Sequence, residues 1–192
     1  MKETLAFIAA ILALVGYLPY LRDTIRNRVT PHPYTWFIWS IVSGITFAGQ
    51  IVKGAGLGAL PTLVAEVLTI SIFIFSLKYG FKYVKTIDHY YLAIACAGLI
   101  PWLITKDPTV SVLVAVSIDV IAFTPTIRKT WHFPSTETKT IYAINVIRHV
   151  ITLGSLSSYN LATMAHSIAM IVANTVMTFA VMRSKKIQKN NL

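Results

Sequence analysis

Leu18-Pro19-Tyr20-Leu21-Arg22-Asp23-Thr24 ends the first long apolar run of the chain, and Thr124-Pro125-Thr126-Ile127-Arg128-Lys129-Thr130 ends a later one. Both follow the order proline, any residue, apolar residue, arginine, any residue, threonine. Each stands where an apolar helix gives way to a basic connection. Each is followed by a polar stretch with a proline and then by an aromatic-rich helix start, Tyr34-Thr35-Trp36 in one copy and Ile141-Tyr142-Ala143 in the other. The match is short, but its equal depth and equal flanks read as an internal repeat, a device from which transport folds are often assembled. Proline removes a helix hydrogen bond and crowds the preceding turn. Pro19 and Pro125 therefore either end their helices or, as a pair, form matched hinges.

Outward from these two marks the chain is apolar almost throughout. Hydrophobic residues make up 55% and charged residues 12%, with mean hydropathy +0.65, against about 25% charged residues in soluble domains. A hydrocarbon core of about 30 Å needs about 20 helical residues. Seven segments qualify: Thr4 to Leu21, Tyr34 to Val52, Gly58 to Leu77, His89 to Thr105, Thr109 to Ile127, Thr140 to Ser158, and Leu161 to Met182. The N-terminal run lacks a clear cleavage site for a signal peptide, so a retained first helix is expected.

The charge of +10 invites a nucleic-acid reading, but its distribution follows topology. Arg22, Arg26, Arg28, Lys78, Lys82, Lys85, Arg128, Lys129, Lys139, Arg183, Lys185, Lys186 and Lys189 fall on one side of the expected spans. Lys2, Lys53 and Lys106 fall on the other. The positive-inside bias places the N-terminus outside and the C-terminus in the cytoplasm, with the basic tail near anionic lipid headgroups. Two repeats of three helices keep one orientation only if a further helix separates them. The expected fold is thus an all-α membrane protein of seven transmembrane helices. Residues 1–85 form the first three-helix repeat, 86–106 the linker helix and 107–192 the second repeat with its tail.

This three-plus-one-plus-three order, with a proline near the cytoplasmic end of the first and fifth helices, resembles the SWEET and PQ-loop transporter superfamily over nearly the whole chain. Pro19 and Pro125 take the places of that family's PQ prolines. Tyr20 and Thr126 stand where its glutamines would be, and the prolines inside the second and sixth helices of SWEET sugar transporters have no counterpart there. The segment from Lys106-Asp107-Pro108-Thr109 through Trp131 also looks like a small prokaryotic branch of membrane proteins. The resemblance implies alternating access around a central site between the two triplets.

Charged groups at membrane depth are expensive and need a partner or a cavity. Asp119 falls near the middle of the fifth helix and Arg148 near the middle of the sixth, so a buried pair is expected. In one reading the two neutralise each other; in the other Arg148 binds a carboxylate or phosphate, with Asp119 orienting the arginine or exchanging protons. Glu66 has no cation at its depth, which suits either a protonated interhelical hydrogen bond or a proton-coupling role. Asn145, Arg148 and His149 share adjacent helix faces, and Asn174 offers a donor and an acceptor to a solute or a neighbouring helix. Trp36 and Trp39 open the second helix, either in the interfacial aromatic belt or, for the deeper Trp39, as a gate whose repeat counterpart is Asn145.

His132, His149 and His166 are expected at different depths. Cys96 has no partner for a disulfide, and Gly54-Ala55-Gly56-Leu57-Gly58 lacks a P-loop lysine. No catalysis, cofactor or metal is expected. The expectation is a small-solute transporter or facilitator in a cell membrane, of prokaryotic plasma-membrane type. Its partners would be lipid, a polar metabolite such as a sugar, amino acid or vitamin, and, in a homo-oligomer, further copies of itself, with no nucleic acid. The alternative is a receptor or assembly subunit that engages a partner through its basic cytoplasmic loops.

Overall fold

A computed structural model describes residues 2–52, 60–104, 108–155 and 161–189. Among them the chain forms seven α-helices: α1 (Lys2–Ile25), α2 (Pro33–Val52), α3 (Leu60–Tyr79), α4 (Thr86–Ile104), α5 (Pro108–His132), α6 (Lys139–Ser155) and α7 (Leu161–Lys189). Short 3-10 turns at Gly80–Tyr83 and Pro134–Thr136 precede α4 and α6. Three stretches are long and apolar enough to cross a membrane: Phe7–Ile25, Leu63–Tyr83 and Met164–Arg183. The expected glycine-rich connection Gly54 to Gly58, Lys53, Lys106 and the outer ends of the fourth and sixth spans lie outside the described residues.

Local chemistry sets the helix ends. α2 and α5 begin at Pro33 and Pro108, where a fixed φ and a missing N–H suit the first turn. α1 closes at Asn27, whose φ of 54° is left-handed, a conformation asparagine tolerates better than most residues. There the Asn27 N–H donates to the Thr24 carbonyl at 3.0 Å and the Arg28 N–H to the Asp23 carbonyl at 2.8 Å. At the start of α4 the Asp88 carboxylate accepts the Lys85 backbone N–H at 2.8 Å, half of a capping box.

Neither Pro19 nor Pro125 ends its helix. α1 runs on to Ile25 and α5 to His132, so both prolines are internal. The basic segments expected as loops after Leu21 and Ile127 are therefore partly helical, because Arg128 and Lys129 find anionic partners that hold the last turns of α5 together.

The packing follows a closed circuit. α3 packs against both α1 and α2, α7 against both α5 and α6, and the two sets meet where α1 packs on α6 and α2 on α5. α4 lies against α5, with a smaller contact to α2. The outer surface is apolar: Ile11, Val67, Ile94, Val150, Val172 and Phe179 are each more than half exposed. Buried side chains include Glu66, Asp119, Lys129, Asn145, His149 and Asn174. Apolar residues outside and charged residues inside invert the water-soluble pattern.

Candidate functional site

The connections that follow α1, α3 and α5 gather at one end of the circuit, the basic end. The Thr30 N–H donates to the Thr136 carbonyl at 2.8 Å, the Arg128 Nη2 to the Tyr83 carbonyl at 3.0 Å, and the Arg183 guanidinium lies 4.3 Å from the Trp131 ring centroid. Just inside this end, aromatic rings form an unbroken loop across both sets of helices. Trp36 lies 5.3 Å from Trp39, Trp39 4.8 Å from Phe123, Phe123 6.1 Å from Tyr142, Tyr142 6.4 Å from Tyr20, and Tyr20 5.4 Å from Trp36. Tyr17 adds an edge-on contact to Trp36. Trp39, expected either in the interfacial belt or as a gate, is thus one member of a ring of aromatic side chains drawn from α1, α2, α5 and α6.

Beneath the rings sits Glu137, a buried carboxylate on the α5–α6 connection. Its Oε2 accepts the Tyr20 hydroxyl at 2.7 Å and the Tyr142 hydroxyl at 2.9 Å, while its Oε1 accepts the Lys129 ammonium at 2.6 Å. Lys129 also donates to the Thr30 carbonyl. Burial pushes the Lys129 ammonium below its ordinary range, against the opposing pull of Glu137. One carboxylate therefore joins α1, α5 and α6.

Asp88 anchors a second cluster at the same end. It accepts Arg128 Nε at 3.0 Å and His32 Nε2 at 3.2 Å. Burial pushes the Asp88 carboxyl up, but the hydrogen bonds from Arg128 and the Lys85 N–H and the charges of His32 and Arg128 carry it below the usual carboxylate range. Burial lowers His32 to about 4, despite Asp88, so the imidazole is neutral at pH 7. The consecutive residues Arg128 and Lys129 thus hold two different carboxylates.

The α2–α5 contact carries a further link. Thr35 Oγ1 donates to the Ala122 carbonyl at 2.5 Å, and Thr126 Oγ1 donates to Thr35 Oγ1 at 2.9 Å. Ala122 lies one turn before Pro125, where a proline weakens the helical hydrogen bonding.

Away from the basic end the interior turns polar. Asn145 and His149 continue the α6 face that carries Tyr142, and Ser43 continues the α2 face that carries Trp36 and Trp39. Glu66 shares a hydrogen bond with Ser43. Asn174 Nδ2 donates to the Met170 carbonyl of its own helix at 2.8 Å. Trp36 Nε1, Trp39 Nε1, Glu66 Oε2 and His149 Nδ1 are buried without a protein hydrogen-bond partner among the described residues. A buried polar atom left unpaired costs about 1–3 kcal/mol, and these four are spread over α2, α3 and α6, with His32 Nδ1 and Thr130 Oγ1 unpartnered nearer the basic end.

The expected Asp119–Arg148 pair does not form. Asp119 Oδ2 lies 3.2 Å from His166 Nδ1 on α7. Arg148 donates Nε to Asn145 Oδ1 at 3.1 Å and Nη2 to His149 Nε2 at 3.1 Å. The expectation that the histidines lie at different depths is also corrected for one pair, since the His149 and His166 rings are 5.5 Å apart. The cause is packing order: α5 meets α7 rather than α6. Among the described residues no group of three His, Cys, Asp or Glu side chains is placed to hold a metal ion.

Sequence reasoning missed Glu137, Asp88 and His32. One signal was available for Glu137, the only acid between Arg128 and Lys139 in a chain with seven acids in all. Comparisons with protein-family models, curated proteins and solved structures find no match.

Proposed function

We propose that this chain is a multi-pass membrane transporter or facilitator of small polar solutes. It works by alternating access between the bundles α1–α3 and α5–α7, with α4 as the linker and Pro19 and Pro125 as hinges. The basic end is cytoplasmic by the positive-inside rule, and the bundles are repeats of the kind found in the SWEET and PQ-loop superfamily. Supporting this, α3 and α7 take the same place within their bundles, each between the other two helices. The observation that carries the reading is the aromatic closure. Residues of both bundles seal the basic end beneath Glu66 Oε2 and His149 Nδ1, buried atoms without a partner among the described residues, as an outward-facing carrier requires. No chemical reaction is proposed.

Reconstitution into liposomes tests it. Saturable uptake of at least one sugar, amino acid or vitamin is expected, with the rate altered by Trp39→Ala. Absence of saturable uptake, together with absence of any ligand-dependent thermal shift, would sink the proposal. A receptor role draws less support, because Arg128 and Lys129 are engaged by Asp88 and Glu137 rather than offered to a partner.

A further inference from the structure

α3 and α7 hold the same place in their bundles, and each turns one exposed strip outward. On α7 the strip runs through Ile168, Val172, Val176 and Phe179, apolar side chains three or four residues apart on one helix face, and closes on the exposed Arg183. On α3 it runs through Leu63, Val67, Ile70 and Ile74 and closes on the exposed Lys78. Both strips belong to stretches long and apolar enough to cross a membrane, and both cations stand at the basic end. From Val172 to Arg183 the helix rises about 16 Å, close to one leaflet of a hydrocarbon core about 30 Å thick.

Each terminal cation stands over an aromatic ring. Lys78 Nζ lies 5.2 Å from the Tyr79 centroid and the Arg183 guanidinium 4.3 Å from that of Trp131. Tyr79 is the next residue of the same helix, whereas Trp131 comes from the last turn of α5, so Arg183 closes a junction between two helices. Trp131 is itself 56% exposed. The ring attracts the cation and leaves its charge unanswered. Among the described residues no carboxylate oxygen comes within 4.0 Å of the Arg183 guanidinium. The acids of the basic end are engaged elsewhere, Asp23 by Arg22 at 3.1 Å, Asp88 by Arg128 at 3.0 Å and Glu137 by Lys129 at 2.6 Å.

We propose that the Arg183–Trp131 junction is a headgroup site for an anionic phospholipid of the leaflet at the basic end, with its acyl chains along the Val172–Phe179 strip. This goes beyond the transport reading and does not depend on it. The surface selects the class twice. An unanswered guanidinium calls for an anion, and its fork matches phosphate oxygens. The apolar strip that leads up to it calls for a hydrocarbon chain. Free phosphate meets only the first demand, and a zwitterionic lipid brings its own ammonium to the phosphate and gains less from the arginine. The indole suits the same level, because Trp has an apolar body and one polar N–H and gathers at the membrane interface. Lys78 is the weaker counterpart, a point charge over a ring of its own helix.

The test uses the full chain purified in a neutral detergent and titrated with phosphatidylglycerol, phosphatidylcholine, glycerol phosphate and inorganic phosphate. Native mass spectrometry counts the retained lipid, and thermal shift follows stability. Phosphatidylglycerol is expected to stay on the protein and raise its melting temperature, and phosphatidylcholine to bind at least fivefold more weakly. Arg183→Gln should weaken phosphatidylglycerol binding at least fivefold, the factor that one cation supplies at an anionic surface. Arg183→Lys, which keeps the charge but not the fork, and Trp131→Leu, which keeps an apolar side chain but not the ring, should fall between. Lys85→Gln removes an exposed charge at the same end and should leave binding unchanged. Arg183 and Trp131 are both exposed, so these variants leave the packed interior intact. Failure to retain phosphatidylglycerol overturns the site, as does equal binding of the two lipids. Equal weakening in Lys85→Gln and Arg183→Gln replaces it with diffuse surface charge. Glycerol phosphate or inorganic phosphate acting as strongly as the lipid overturns the lipid assignment.

Discussion

Glu137→Gln keeps the shape of the side chain beneath the aromatic closure and removes its charge. The native carboxylate accepts from Tyr20, Tyr142 and Lys129 at 2.7, 2.9 and 2.6 Å. A hydrogen bond to a charged group is worth about 1.5–3 kcal/mol, and stranding one member of a buried ion pair costs about 3–5 kcal/mol. Lys129, fully buried, is the group stranded. If the basic end opens during transport, the open state hydrates Lys129 and avoids this cost, so the substitution weakens the closed state selectively. At 1.4 kcal/mol per factor of ten, the closed-to-open ratio falls by roughly two to three orders of magnitude. The readout is a Met177→Cys probe, since Met177 is buried in the same cluster, in a chain whose exposed Cys96 is replaced by alanine. An impermeant maleimide applied from the basic side should label the Glu137→Gln protein at least tenfold faster than the parent. Tyr20→Phe and Tyr142→Phe, each deleting one hydrogen bond, should fall between. A lowered melting temperature with unchanged labelling would refute the gate and leave Glu137 a structural pin.

Three further outcomes follow from the same geometry. His32 is held at about 4 in the fold against about 6.5 when unfolded, so the unfolded chain binds the extra proton and stability rises with pH across that interval. This contribution is complete above about pH 6.5 and lost as pH falls through 4, by about 3 kcal/mol in all; denaturation midpoints between pH 7 and 4 should show it, and His32→Gln should flatten it. Asp88, also depressed, adds a loss of the same sign at still lower pH. Gly80→Ala places a Cβ 2.5 Å from the Pro31 carbonyl oxygen and 2.7 Å from Pro33 Cδ; thermal melts should show a loss of about 1–3 kcal/mol, while Gly154→Ala, with nothing within 4 Å, should cost nothing. Thr35→Val deletes the hydroxyl that serves the Ala122 carbonyl and receives Thr126; a loss of about 1–3 kcal/mol is expected, and an unchanged melting temperature would show that water replaces the hydroxyl.

The seven helices were legible because apolar run length is written directly in the chain. Their ends were less so, since a first charge after an apolar run reads as the water boundary. Arg128 and Lys129 instead ride a further turn of α5, held by Asp88 and Glu137. Asp119 is buried and Arg148 half-buried, but the expected partnership between them does not form. Hydropathy gives distance along a helix axis, but a side chain's neighbour depends on the order in which helices pack. Because α7 lies between α5 and α6, Asp119 meets His166, a residue that drew no attention while it was thought to sit at another level. Glu137 is hidden for another reason: an acid in a basic connection carries no mark of burial in the sequence, yet two tyrosines and a lysine enclose it.

The same packing order makes the two proline-bearing helices unequal. On one side α2 reaches α5 through the Thr35 hydroxyl, which fastens the Ala122 carbonyl just before Pro125. On the other, α1 meets α6 through Gly16, where an added Cβ would stand 3.2 Å from Ile144 Cγ2. Ile141 stands as far beyond Pro125 as Thr35 does beyond Pro19, and it has no hydroxyl to offer the carbonyls before Pro19. Ahead of Pro125 bending must break or move a polar link, whereas ahead of Pro19 the contact at Gly16 is apolar and the link from α1 to α6 through Tyr20 and Glu137 lies beyond the bend. If the bundles rock as proposed, α1 is the more compliant element, and Thr35→Val should make the two hinges alike. That substitution should therefore raise labelling of the Met177→Cys probe even without touching Glu137, and unchanged labelling would show that the prolines do not bend during opening.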